Sequence, residues 1–181
     1  MFNKYTYSII FTVFLFSSEM TVAEERNNYF FLNFAGYSVD IEVVNNVEDF
    51  KKSGAAAIFG YGRAISDYVA IEIAINSYNE VKDELQNLER KGLGGAIVIQ
   101  GVGMWPVSDY FKVFAKAGAS NWKYIVDIEG ADKETIDGTD VIYGAGIALD
   151  ADHDSTIRLE YDAYLNGLNV DFISLGFQHN F

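Results

Sequence analysis

A chain of 181 residues with a formal net charge of -13 has the length of a single domain, and its 13 Lys plus Arg against 26 Asp plus Glu argue against nucleic acid as a partner, because phosphate binding needs a concentrated basic surface. The absence of cysteine excludes a disulfide framework, a thiolate nucleophile and a Cys-ligated metal. Sixteen Gly, 12 Tyr and 14 Phe beside one Pro suit many closely packed strands with aromatic girdles, although a soluble sandwich shares that composition.

Lys4 precedes the apolar run Ile9–Phe16, and Ser17, Ser18, Thr21, Val22 and Ala23 supply small residues for signal peptidase. Residues 1–23 therefore read as a secretory signal peptide and 24–181 as the mature domain. The apolar run is well short of the roughly 20 residues of a spanning helix, and no later segment is a candidate. If the mature chain enters a membrane it must do so as a closed barrel, the other way to satisfy backbone hydrogen bonds in lipid.

In chain order, Tyr29–Asp40 is the first strand candidate, with two apolar faces and no evident orientation. Val43–Lys52 reads as a loop, and Gly54–Ile65 as the second strand, with Phe59 and Tyr61 on one face and Ala56, Gly60 and Gly62 on the other. The third, Tyr68–Ser77, alternates most clearly: Val69, Ile71, Ile73 and Ile75 oppose Ala70, Glu72, Ala74 and Asn76. Glu72 then points to water in a soluble sandwich and into the lumen in a membrane barrel.

Asn79–Lys91 places Val81, Leu85 and Leu88 at helical spacing, which weakly favours an external loop with a short helix over an extension of the flanking strands. Leu93–Met104 is the fourth strand, with Gln100 on the face opposite Ile97 and Ile99, and Pro106 shapes a short turn. Phe111–Trp122 is the fifth and directs Lys116 inward. An acidic surface loop over Asp127–Asp140 precedes Val141–Asp150, a polar turn over Asp150–Ser155, and two last strands at Ile157–Tyr164 and Val170–Phe181. Eight strands of about 9–11 residues suffice to cross a bilayer when tilted.

The residues Tyr143-Gly-Ala-Gly146, Ile157-Arg-Leu-Glu-Tyr161 and Val170–Phe181, with Ser174-Leu-Gly176 before an aromatic end, resemble the OmpA-type family that includes the OmpX-like and Ail-like barrels. The resemblance implies an all-β, eight-stranded antiparallel up-and-down transmembrane β-barrel in the outer membrane of a Gram-negative bacterium. It implies a lumenal ion network of Glu72, Arg158 and Glu160, with Lys116 at a basic position on the fifth strand. It also implies that Phe177, His179 and Phe181 belong to a closing strand read by the barrel assembly machinery. Two departures stand out: Gln100 and Ala148 replace a lysine and glutamate pair frequent in the family, and His179 stands where an outward tyrosine is usual.

Some eight-stranded barrels edit lipid A, and His153-Asp-Ser155 with Glu160 has a deacylase-like content. It falls in a periplasmic turn, away from the external leaflet where such chemistry occurs. Asp150, Asp152 and Asp154 open like a calcium loop, but the Gly and Glu of that loop are missing at positions six and twelve. The sequence thus predicts no catalytic residues, no metal and no cofactor. It predicts a monomer with a closed lumen, contacting outer membrane lipids and lipopolysaccharide, whose external loops meet a ligand or host surface in an adhesion or envelope-integrity role. A lipid A-modifying enzyme and a small-molecule channel are the alternatives in function, and a secreted β-sandwich is the alternative in fold.

Overall fold

The structure is a computed structural model that describes residues 27–41, 50–85, 88–128, 134–165 and 170–181, so the expected signal peptide lies outside the described residues. Eight strands follow one another: β1 (Asn28–Ile41), β2 (Phe50–Ser66), β3 (Val69–Leu85), β4 (Leu88–Pro106), β5 (Phe111–Ile128), β6 (Glu134–Asp150), β7 (Ser155–Leu165) and β8 (Val170–Asn180). Each pairs antiparallel with the next, and β1 pairs with β8 from Tyr29↔Asn180 to Val39↔Val170. The sheet therefore closes and leaves no free edge.

Side chains sort by the two-residue period of each strand. The outward rows are apolar: Phe34, Ile173 and Leu175 are 66%, 64% and 59% exposed, too much for the core face of a sandwich and suited to hydrocarbon as the surrounding medium. Among the described residues no helix is long and apolar enough to cross a membrane. Three short connections, Asp67–Tyr68, Val107–Tyr110 and Ala151–Asp154, gather at the end that also holds Asn28 and Phe181. We refer to it as the turn end, and to the opposite rim as the loop end.

The orientation of β1, which its sequence leaves open, is fixed by the partners across the ladder. Tyr29, Phe31 and Tyr37 point inward and stand opposite Gly62, Gly60 and Gly54 of β2. A Cβ on Gly54 would lie 2.6 Å from the Tyr37 ring, and Gly60 and Gly62 are obstructed more severely by Phe31 and Tyr29. The same pairing of a large residue with a glycine recurs at Phe114↔Gly146 and Trp122↔Gly138. At these levels glycine on the neighbouring strand provides the room that a bulky inward side chain needs in a narrow barrel.

Several elements are longer than their sequence suggests. The short helix favoured over Asn79–Lys91 does not form: β3 runs to Leu85 and β4 starts at Leu88, with register from Val81↔Gly92 to Leu85↔Leu88 after a shift beyond Tyr78. A helix of about a dozen residues is marginal alone, whereas extending an aligned hairpin adds ladder bonds at small entropic cost. The acidic loop is likewise shorter than Asp127–Asp140, because Glu134–Asp140 pairs with Ser120–Val126 as the start of β6. Phe50–Lys52, expected in a loop, open β2, and Pro106 closes β4 opposite Lys112 instead of shaping the turn itself.

Overpacking at a glycine opposite an aromatic ring costs about 1–3 kcal/mol. Gly62→Val is therefore expected to lower the urea midpoint of the barrel refolded in lipid vesicles. Gly101→Ala, whose new Cβ meets nothing nearer than a backbone oxygen at 4.0 Å, leaves the midpoint in place.

Candidate functional site

The polar interior lies toward the turn end, where inward positions of β3, β4, β5, β7 and β8 converge. Glu72, Lys116, Arg158, Glu160 and Asp162 are all buried there, as are Gln100 and Ser174. Inward placement follows from alternation alone: Arg158, Glu160 and Asp162 occupy every second residue of β7, and Glu72 and Asn76 do so on β3. Buried charges persist only when each finds a counter-charge and hydrogen bonds.

The five charges form a chain of alternating sign. Arg158 Nη1 donates to Glu72 Oε1 at 2.7 Å, and Arg158 Nε lies 2.6 Å from Glu160 Oε1. That second approach is misaligned for a hydrogen bond and holds by charge. Lys116 Nζ then donates to Glu160 Oε2, and it pairs with Asp162 Oδ2 at 2.9 Å. The order is Glu72, Arg158, Glu160, Lys116, Asp162, so each cation sits between two carboxylates.

Neutral groups complete the shell. Tyr29 Oη donates to Glu72 Oε1 at 2.8 Å and Gln100 Nε2 to Glu72 Oε2 at 2.7 Å, while Arg158 Nη1 also donates to Gln178 Oε1 at 3.2 Å. The guanidinium lies between two rings, 4.9 Å from the centroid of Phe31 and 4.9 Å from that of Phe114. Planar stacking of this kind suits Arg and not Lys. Gln100, which stands in place of a frequent family lysine, thus serves as a neutral donor to Glu72, and Ala148 is a buried filler.

Above the charges, toward the loop end, the interior is aromatic. The Phe172 ring lies 6.0 Å from Tyr37, 5.7 Å from Tyr78 and 5.4 Å from Tyr164, with Tyr37 and Tyr78 5.5 Å apart. Asn76 Nδ2 donates to the Tyr164 hydroxyl at 2.8 Å, and Trp122 Nε1 donates to Asp140 Oδ2 at 2.9 Å. A void bounded in part by Phe31, Gln100, Lys116 and Asp162 has a volume of about 10 Å³, room for one water.

Asp162, Tyr29 and Gln178 are the members that sequence reading misses. The signal for Asp162 is present, since it continues the inward row of Arg158 and Glu160. Tyr29 was hidden by the two apolar faces of β1.

The remaining candidates fall elsewhere. His153 is exposed in the β6–β7 turn and Ser155 starts β7, while both carboxylate oxygens of Glu160 are engaged in the lumen, so these three do not assemble a hydrolytic triad. Asp150 accepts from Thr156 and pairs with Lys112 at 2.7 Å, and Asp152 Oδ1 accepts from the Asp154 amide, which makes a turn and not a cation cage. Among the described residues no cluster of His, Asp and Glu has metal-binding form. Phe177, His179 and Phe181 all face outward. Phe181 stacks on Phe30 at 5.0 Å, its amide donates to Asn28 O at 2.8 Å, and His179 lies between Phe30 and Ser155 in the register.

Removing one partner of a buried ion pair costs about 3–5 kcal/mol because the other charge is stranded. Arg158→Met is expected to destabilise the folded barrel by that order in urea titration. Adding Glu72→Gln, which removes the carboxylate left without a counter-charge while Glu160 keeps Lys116, recovers part of the loss.

The architecture has counterparts among known proteins. The N-terminal β-barrel domain of Pseudomonas aeruginosa OprF superposes with a TM-score of 0.64 at 14% identity, over 86% of this chain and 98% of that one. Neisserial surface protein A gives 0.63 at 11% identity, over 85% and 97%. The attachment invasion locus protein Ail of Yersinia pestis gives 0.59 at 14% identity, over 86% and 99%, and Ail also has a structure in complex with the heparin analogue sucrose octasulfate. No curated protein sequence matches the chain. The sequence profile of the OmpA-like transmembrane domain matches residues 19–172, the greater part of the chain and all of β1 to β7, and the protein belongs to that family.

Proposed function

We propose that this protein is a non-enzymatic barrel of the Gram-negative outer membrane that acts at the cell surface, in adhesion or envelope integrity, through its loop end. The observation that carries this reading is the filled lumen. The alternating charges and the aromatic layer above them occupy the volume a conducting or substrate-binding path would need. A barrel of eight strands is just wide enough for side chains to fill.

With the interior occupied, the surfaces left for recognition are outside. β4 has 19 residues and β5 has 18, roughly twice the length a tilted strand needs to cross the hydrocarbon core, so the hairpins reach past the headgroups at the loop end. In sequence, residues 127–140 hold six acidic groups against Lys133, a net of -5. A sulfated polyanion such as the one bound to Ail does not suit that charge, and a cationic or cation-bridged surface does. The mature domain begins after the signal peptide of residues 1–23, and β8, with Phe177, His179 and Phe181 outward, serves as the strand read during assembly.

Planar bilayer recordings on the refolded protein are expected to show no stable open state, and a persistent large pore overturns the closed lumen. Mass spectrometry of lipid A from cells with and without the protein is expected to give identical acyl patterns. An altered pattern replaces this reading with an enzymatic one.

A further inference from the structure

We propose that the outer face of β2, β3 and β4, toward the turn end, carries a binding site for one anionic phospholipid of the periplasmic leaflet. Tyr61, Arg63 and Ile65 of β2, Ile71 and Ile73 of β3 and Ile99 of β4 line a groove of about 270 Å³ there. Its walls are almost entirely hydrocarbon. Glu72 of β3 also borders it, but the Glu72 carboxylate is held in the lumen by Arg158, Tyr29 and Gln100, so the charge on the outer face of the groove is that of Arg63.

Arg63 lies on the outward row of β2 between Tyr61 and Ile65, level with Ile71 across the ladder. Its side chain is exposed and makes no hydrogen bond or ion pair among the described residues. A lipid-facing arginine costs about 2–4 kcal/mol at the bilayer midplane and little near the interface, so its guanidinium belongs at headgroup depth. Tyr61, whose hydroxyl donates to Asn28 Oδ1 at 2.7 Å, marks that depth with an aromatic belt residue. A phosphate there supplies the guanidinium with the bidentate acceptor it lacks among the described residues, and an acyl chain fills the groove beside it.

Charge identifies the occupant. A protein of net charge -13 repels anionic lipid at long range, so a retained anionic lipid needs a local cation, and Arg63 is one that forms no ion pair among the described residues. The second outer-face groove, about 400 Å³ beside Ile75, Leu93, Gly95 and Ile97 toward the loop end, includes Lys123. Lys123 stands opposite Asp137 in the ladder, so a carboxylate lies level with that cation, whereas Arg63 lies between Asn28 and Ile71 with no acidic residue level with it.

Native mass spectrometry of the folded mature protein, released from micelles containing either phosphatidylglycerol or phosphatidylcholine, tests the site. The expected result is a one-to-one phosphatidylglycerol adduct that Arg63→Gln reduces about tenfold, the loss of one charge-assisted contact. Arg63→Lys keeps most of the adduct and Lys123→Gln leaves it unchanged. Faster gel migration of unheated than of boiled samples verifies that each variant is folded. Equal retention by Arg63→Gln overturns the proposal. Equal retention of the two lipids also overturns it, as do protein dimers in place of lipid adducts, which assign the groove to a second copy of the chain.

Discussion

The guanidinium of Arg158 joins five of the eight strands. It pairs with Glu72 of β3 and Glu160 of its own β7, reaches Gln178 of β8, and is held between Phe31 of β1 and Phe114 of β5. Fixed planar charge, several donors and two stacking faces are needed at once, and no other side chain combines them. Because the group is out of water, each of its neighbours must be correctly placed for the ion to be tolerated. The demand for pairing thereby specifies the arrangement of the lumen more than it adds to stability.

Space is the second constraint, and glycine resolves it. The inward rings of β1 take the room left by Gly54, Gly60 and Gly62, and those of β5 the room left by Gly138 and Gly146. Glycine is a poor strand former, so its repeated use opposite aromatics reflects the interior and not local propensity. The result is an interior of two layers, ionic below and aromatic above, with Asn76 bonded to Tyr164 at their boundary.

Alternation made most of the fold legible, because one face of nearly every strand meets lipid and the other a packed lumen. The sharpest case is β3, where a row of isoleucines opposes Glu72. Legibility fails where the surroundings change. β1 has apolar residues on both faces, since its inward side packs as rings against glycine, and only the ladder partners decide its orientation. Beyond the bilayer the contrast between faces weakens, so Asn79–Lys91 and Glu134–Asp140 read as helix and loop although both are continued hairpin. In the lumen, alternation places Glu72 and Lys116 inward, the family pattern adds Arg158 and Glu160, and Asp162 is found only by following the β7 row one step further.

The β1–β8 seam has a consequence for the order of folding. Asn33 of β1 lies across from Gly176 of β8, where a Cβ would meet the Asn33 side chain, so the first strand finds this partner only when the last has been made. Every other ladder joins strands adjacent in sequence and can form early, while this one must close a loop that spans almost the whole domain. Until then the chain is an open, twisted sheet with two unsatisfied edges, the state most prone to pair with other molecules. Closure is therefore a late, cooperative event, and the growing sheet depends on its surroundings to keep both edges apart from everything except each other.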